Sequence, residues 1–151
     1  MGSRLDMIDN AKPVSEPRRA QILIVEDNLY NYRLMARLLA LRGIETCEWM
    51  VSGAQMAEPA GSPGVLHGFD LVLMDIYLPR EDGYQLLARL RRNPSFAETP
   101  IVAVTAEATP DNLQRAREAG FDGFIGKPIN SARFPDQVCQ LLRGEAVWEL
   151  G

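Results

Sequence analysis

Four short apolar runs of this sequence each end on a side chain that can handle charge. Gln21-Ile-Leu-Ile-Val25 is closed by Glu26 and Asp27, Leu71-Val-Leu-Met74 by Asp75, Ile101-Val-Ala-Val104 by Thr105, and Gly123-Phe-Ile-Gly126 by Lys127. Three carboxylates, one hydroxyl and one ammonium are the equipment of phosphoryl transfer. A carboxylate can serve as nucleophile, a cation neutralises the equatorial oxygens, and a hydroxyl donates to one of them. Two carboxylates about 4 Å apart repel by about 1 kcal/mol in water and about 4 kcal/mol at an effective dielectric of 20. Such a cluster therefore calls for a hard divalent cation, and magnesium prefers a few carboxylate oxygens and keeps places for water or phosphate. Taken singly, each residue has an ordinary reading: a loop or cap pair, a turn residue before Pro79, a helix cap, a surface charge. The joint pattern, one residue type per strand end and in order, carries the chemical reading.

The elements that must position these groups follow from the same runs. A further run, Ile44–Trp49, brings the apolar segments to five. Runs without polar alternation imply strands buried on both faces, hence a parallel sheet with helices on each side. Helical spacing marks 29–42, with Leu34, Leu38, Leu39 and Leu41, and further helices near 83–92, 110–119 and 132–143. Gly43 is placed to stop the first helix, Asp82 and Thr109 to cap later ones, and Pro110 suits a first helical position. The expected fold is α/β, a doubly wound five-stranded parallel sheet of flavodoxin-like topology. In the order 2-1-3-4-5, the first and third strands are neighbours at the switch point, where ligands bind beyond the carboxyl ends. Glu26, Asp27 and Asp75 then converge. Between Gly53 and Gly68 lie Pro59, Gly61, Pro63 and Gly64. Proline costs about 3 kcal/mol inside a helix, so a short turn at 53–58 followed by a loop is expected there.

Composition narrows the classes. The 151 residues carry 20 acidic and 16 basic side chains, a net charge of −4. That balance argues against a general nucleic-acid binder. One histidine, His67, and two cysteines, Cys47 and Cys139, fall short of a four-ligand zinc site and of a disulfide framework. His67 reads as a loop residue and the cysteines as small apolar ones. No segment reaches the roughly 18 apolar residues of a membrane span, and the N-terminus lacks a signal-peptide h-region; a cytoplasmic location is expected. Residues 1–20 show no periodicity and read as a flexible tail, 21–143 as the domain, and 144–151 as a short C-terminal tail.

With these residues assembled, the sequence resembles the receiver domain of two-component response regulators. The resemblance runs from Gln21 to about Arg143. Its motifs are Ile22-Leu-Ile-Val-Glu-Asp-Asn28, Asp70-Leu-Val-Leu-Met-Asp-Ile-Tyr-Leu-Pro79 with Asp82-Gly83, Pro100-Ile-Val-Ala-Val-Thr-Ala106, and Lys127-Pro128-Ile129. It implies that Asp75 is the phospho-acceptor. It also implies that Glu26, Asp27 and Asp75 hold Mg2+ together with the backbone carbonyl of Tyr77. Lys127 would pair with the phosphoryl oxygen, and the Lys127-Pro128 peptide would be cis. Thr105 would be the switch hydroxyl and Phe124 the switch aromatic, moving inward as Thr105 is drawn to the phosphoryl group. The face formed by the helix at 110–119, the last strand and the helix at 132–143 would then be reshaped. Two departures stand out. Phe124 lacks the hydroxyl of the Tyr that the family often has, and Tyr77 is bulky at a position where the family tunes phosphoryl lifetime.

The resemblance further implies a sensor histidine kinase or histidine phosphotransfer protein as donor, a downstream protein target and a possible homodimer, while the charge balance and the lack of a long apolar segment leave no expected role for nucleic acid or membrane. With about eight residues after the last helix, a single-domain regulator signalling by protein contacts is the leading expectation. A phosphorelay shuttle, or a degenerate receiver working without phosphorylation, is the alternative. The protein is expected not to be an enzyme beyond self-directed phosphotransfer and autodephosphorylation. An aspartyl-phosphate phosphatase would need an acid/base aspartate where Tyr77 stands. A flavin protein would find its phosphate repelled by Glu26 and Asp27.

Overall fold

The computed structural model describes residues 19–53 and 68–151. The tail expected over 1–20 lies almost wholly outside them, as do the turn-and-loop expected between Gly53 and Gly68 and the loop placement of His67.

The strands are β1 (Gln21–Val25), β2 (Thr46–Met50), β3 (Leu71–Met74), β4 (Tyr77–Leu78), β5 (Glu81–Asp82), β6 (Ile101–Thr105), β7 (Gly123–Gly126) and β8 (Trp148–Glu149). The helices are α1 (Leu29–Ala40), α2 (Gly83–Arg92), α3 (Pro110–Ala119) and α4 (Phe134–Leu142). The main sheet runs β2-β1-β3-β6-β7-β8, and every pairing in it is parallel. Its first five strands have the expected order. Two features extend the expectation. Tyr77–Leu78 and Glu81–Asp82 form a small antiparallel hairpin directly after Asp75. The C-terminal segment adds a sixth strand, with Phe124 opposite Trp148 and Ile125 opposite Glu149.

The strand side chains divide between two cores, as double winding requires. Ile22 and Ile24 face one layer with Met35, Leu38 and Leu39 of α1 and Val138 and Leu141 of α4. Leu23 and Val25 face the other with Leu86, Leu87 and Leu90 of α2 and Ala116 of α3. Successive residues of a strand point to opposite faces, so an unbroken apolar run is what a strand covered on both sides needs.

Local signals explain the helix ends. Asp82 and Thr109 accept from the backbone N–H groups of Tyr84 and Asn112 and cap α2 and α3, and Pro110 opens α3. Asn28 caps α1 by accepting from the Asn31 N–H. Gly43 takes φ 87°, a left-handed conformation that a side chain disfavours. The helical stripe stops earlier than its leucines suggest. α1 ends at Ala40, and Leu41, assigned to the stripe by spacing, is 75% exposed.

Candidate functional site

The carboxyl end of β1 places Glu26 and Asp27 beside the end of β3, because Val25 pairs with Met74 and the Asp75 N–H donates to the Val25 carbonyl at 3.0 Å. One ligand oxygen from each of Glu26, Asp27 and Asp75 lies within 4.8 Å of the others. Lys127 arrives from the end of β7, where its backbone N–H donates to the Thr105 carbonyl. Its Nζ stands 2.9 Å from Glu26 Oε1 and 3.0 Å from Asp75 Oδ2. The Lys127-Pro128 peptide bond is cis.

Burial divides the three acids. Glu26 is 1% and Asp75 8% exposed, while Asp27 faces solvent. Glu26 is also fixed by main-chain and side-chain donors, the Asn28 N–H at 3.2 Å and the Asn31 amide at 3.4 Å on Oε2. Asp75 Oδ1 accepts from the Tyr77 N–H at 3.0 Å. Burial alone pulls the Lys127 ammonium down. Its hydrogen bond to Glu26, the charges of Asp75 and Glu26 and its bond to Asp75 outweigh that and hold it above its ordinary value.

The residues present suit a divalent cation. Two buried acids already share a cation in Lys127, and the third, Asp27, is open to solvent beside them. The donors are hard carboxylate oxygens, which match magnesium rather than a thiophilic metal.

Thr105 is fully buried, and its hydroxyl oxygen accepts from the Glu107 N–H at 3.2 Å, within its own loop. Phe124 is likewise fully buried, with Trp148, Ala108 and Leu113 packed against its core cluster. The aromatic already lies inside, on the strand that pairs with the sixth one.

Sequence reasoning did not reveal three supports. The Trp49 indole N–H donates to the Glu26 carbonyl at 2.7 Å, and its ring stacks on Tyr32 at 5.3 Å. Glu81 receives the Gly53 N–H on one oxygen and Arg89 on the other, while Arg89 also donates to the Gly53 carbonyl. Gly83 lets α2 start against the Ile76 backbone, where a Cβ would come within 2.6 Å of Ile76 Cα. Asn28, whose N–H holds Glu26, did carry a readable signal as a polar residue before a helical run. Cys47 is a half-buried free thiol, and burial pushes it up to about 11.

The family model described as response regulator receiver domain matches residues 22–138. Over 117 residues the chain is 34% identical to the polar-differentiation response regulator DivK of Brucella ovis, covering 78% of this chain and 91% of that protein. It is 35% identical over 112 residues to the osmosensing histidine protein kinase SLN1 of Saccharomyces cerevisiae, covering 72% of this chain but only 9% of that protein. The chemotaxis response regulator CheY4 of Vibrio cholerae superposes with a TM-score of 0.66 at 22% identity, over 82% of this chain and 98% of that one.

Proposed function

Because this chain belongs to the response regulator receiver domain family, we propose that Asp75 is its phospho-acceptor, loaded from a phosphohistidine on a sensor kinase or histidine phosphotransfer protein. The observation that carries the reading is the single ammonium of Lys127 shared between Asp75 and Glu26, with Asp27 beside them.

The chemistry follows from the placement. A carboxylate oxygen of Asp75 attacks phosphorus in line, an oxygen–phosphorus bond forms, and the phosphorus–nitrogen bond to the donor imidazole breaks with its electron pair leaving on nitrogen. Lys127 moves its charge onto the transferring oxygens, which it reaches from the same position. Glu26, Asp27, Asp75 and the Tyr77 carbonyl would hold Mg2+, which supplies further neutralisation of phosphoryl charge when bound. Thr105 ends the strand next to β3 and is placed to donate to the new phosphoryl group once its hydroxyl leaves its loop. The product adds nearly two negative charges at one point, and the response is a shift of α3, β7 and α4. The protein then acts by contact with a downstream protein. Self-directed phosphotransfer and slow hydrolysis are its only chemistry. Among the described residues no helix is long and apolar enough to cross a membrane, and the setting we propose is the cytoplasm with its kinases.

Incubation with magnesium and a small phosphodonor tests this. Intact-mass measurement is expected to show one added phosphoryl group, lost in Asp75→Asn. No uptake from small donors or from any kinase of the host would favour a receiver that works without phosphorylation.

A further inference from the structure

β7 would be an open sheet edge if the domain ended at α4. An exposed edge presents unpaired N–H and C=O groups to any extended chain. Here the chain's own residues cover it. The Phe124 N–H donates to the Val147 carbonyl at 2.9 Å, Val147 is 2% exposed, and Trp148 and Glu149 continue the pairing.

The edge is shaped for this covering. A Cβ at Gly126 would lie 1.9 Å from the Leu150 carbonyl oxygen, and one at Gly123 would lie 2.9 Å from that of Val147. Two glycines thus admit a second backbone where any side chain would exclude it. Each flank then offers a selective contact. The Arg117 guanidinium of α3 lies over the Trp148 ring, 4.3 Å from its centroid. On the α4 side, Glu149 receives Arg133 and the Gln137 amide. The groove therefore reads an apolar residue, then an aromatic one beneath a guanidinium, then an acid between Arg133 and Gln137.

We propose that this groove is the docking site for an extended segment of the downstream protein, apolar–aromatic–acidic in sequence, and that residues 147–150 are its built-in occupant. The inference rests on the receiver reading only in supposing a downstream protein. Main-chain pairing supplies the affinity and the flanking arginines the selectivity, which is strand addition to a sheet edge. The occupant is tethered to α4 through a short linker that begins at Gly144, with φ 86°. A tethered strand competes at an effective concentration on the order of millimolar, so a partner meets a groove that is closed until the tail loosens. Phe124 lies opposite Trp148 and Thr105 opposite Gly126, which puts the covering strand one step from the expected switch hydroxyl.

The test uses the full chain and a labelled peptide with the sequence of residues 145–151, read by fluorescence anisotropy. The full chain carrying Trp148→Ala and Glu149→Ala is expected to bind the peptide at least about tenfold tighter than wild type, because the tethered competitor is weakened. Adding Arg133→Glu to it is expected to abolish most of that gain. Circular dichroism verifies the fold, and Glu149→Ala alone replaces the double variant should that lose its native spectrum. Absent binding to a folded variant, binding indifferent to Arg133→Glu, or a dimer formed by exchange of the segment between copies would each overturn the proposal. No arm uses a phosphodonor, so failure of Asp75 to load would overturn the receiver chemistry and leave this result standing.

Discussion

Lys127 Nζ stands 3.0 Å from Asp75 Oδ2 and reaches it from a strand two places away in the sheet. The same ammonium lies 2.9 Å from Glu26. One cation therefore holds together two buried acids that would otherwise repel, on 12% exposed lysine and nearly inaccessible carboxylate side chains.

Removing that cation leaves uncompensated charge. Lys127→Met is expected to cost about 3 kcal/mol, as breaking a buried pair does, with part of the loss restored by magnesium. Urea denaturation with and without the metal measures both. The pH dependence has a definite sign. Folding raises the Lys127 pKa above its ordinary 10.5, so its stabilising contribution is complete below that value and fades as pH rises through the folded one. In a urea series from neutral to strongly alkaline pH, the gap between wild type and Lys127→Met is expected to stay constant first and to narrow only above pH 10.5.

Trp49 steadies the acidic pair from behind. Trp49→Phe keeps the stacking on Tyr32 but leaves the Glu26 carbonyl without its indole donor. The expected loss is about 1–2 kcal/mol, with weaker magnesium binding at the neighbouring carboxylates. Calorimetric titration of the metal reads the second effect, and unchanged affinity would show that the indole has no hold on the site.

Tyr77 is 48% exposed while its backbone N–H is held by Asp75. We propose that this ring shields an acyl phosphate on Asp75 from water. Tyr77→Asn is therefore expected to shorten the half-life of the phosphoprotein, followed by loss of the phosphoryl mass over time. An equal or longer half-life would remove shielding as the role of the ring.

Gly126→Ala tests the covering strand. The added Cβ meets the Leu150 carbonyl at 1.9 Å, so residues 147–150 must move away. Hydrogen exchange is expected to show lost protection at the Phe124 N–H, which donates to Val147. The β3–β6 amides are expected to stay protected. Retained protection at Phe124 would mean that the tail can rearrange without leaving the edge.

How much was readable in the sequence depended on the range of the interaction. The strand ends were legible because an unbroken apolar run closed by Asp75 or Lys127 is a local pattern, and the parallel order then places those ends together. Asp82, Thr109 and Pro110 were legible for the same reason, since capping is decided within one turn. Leu41 misled because spacing marks a face without saying where the helix stops. The indole of Trp49 on Glu26 spans 23 positions and the Arg89–Glu81–Gly53 clamp spans 36. No local pattern announces such contacts. The sixth strand was hidden for another reason. Trp148–Glu149 is two residues long, too short for periodicity, and its place was reserved by what Gly123 and Gly126 lack.

We propose that Asp75, and neither neighbouring acid, takes the phosphoryl group. Borohydride reduces an aspartyl phosphate to homoserine, which peptide mass mapping places in the chain. After loading in magnesium, homoserine is expected at position 75, with the acids at 26 and 27 intact. Homoserine at position 27, or label that survives in Asp75→Asn, would contradict it.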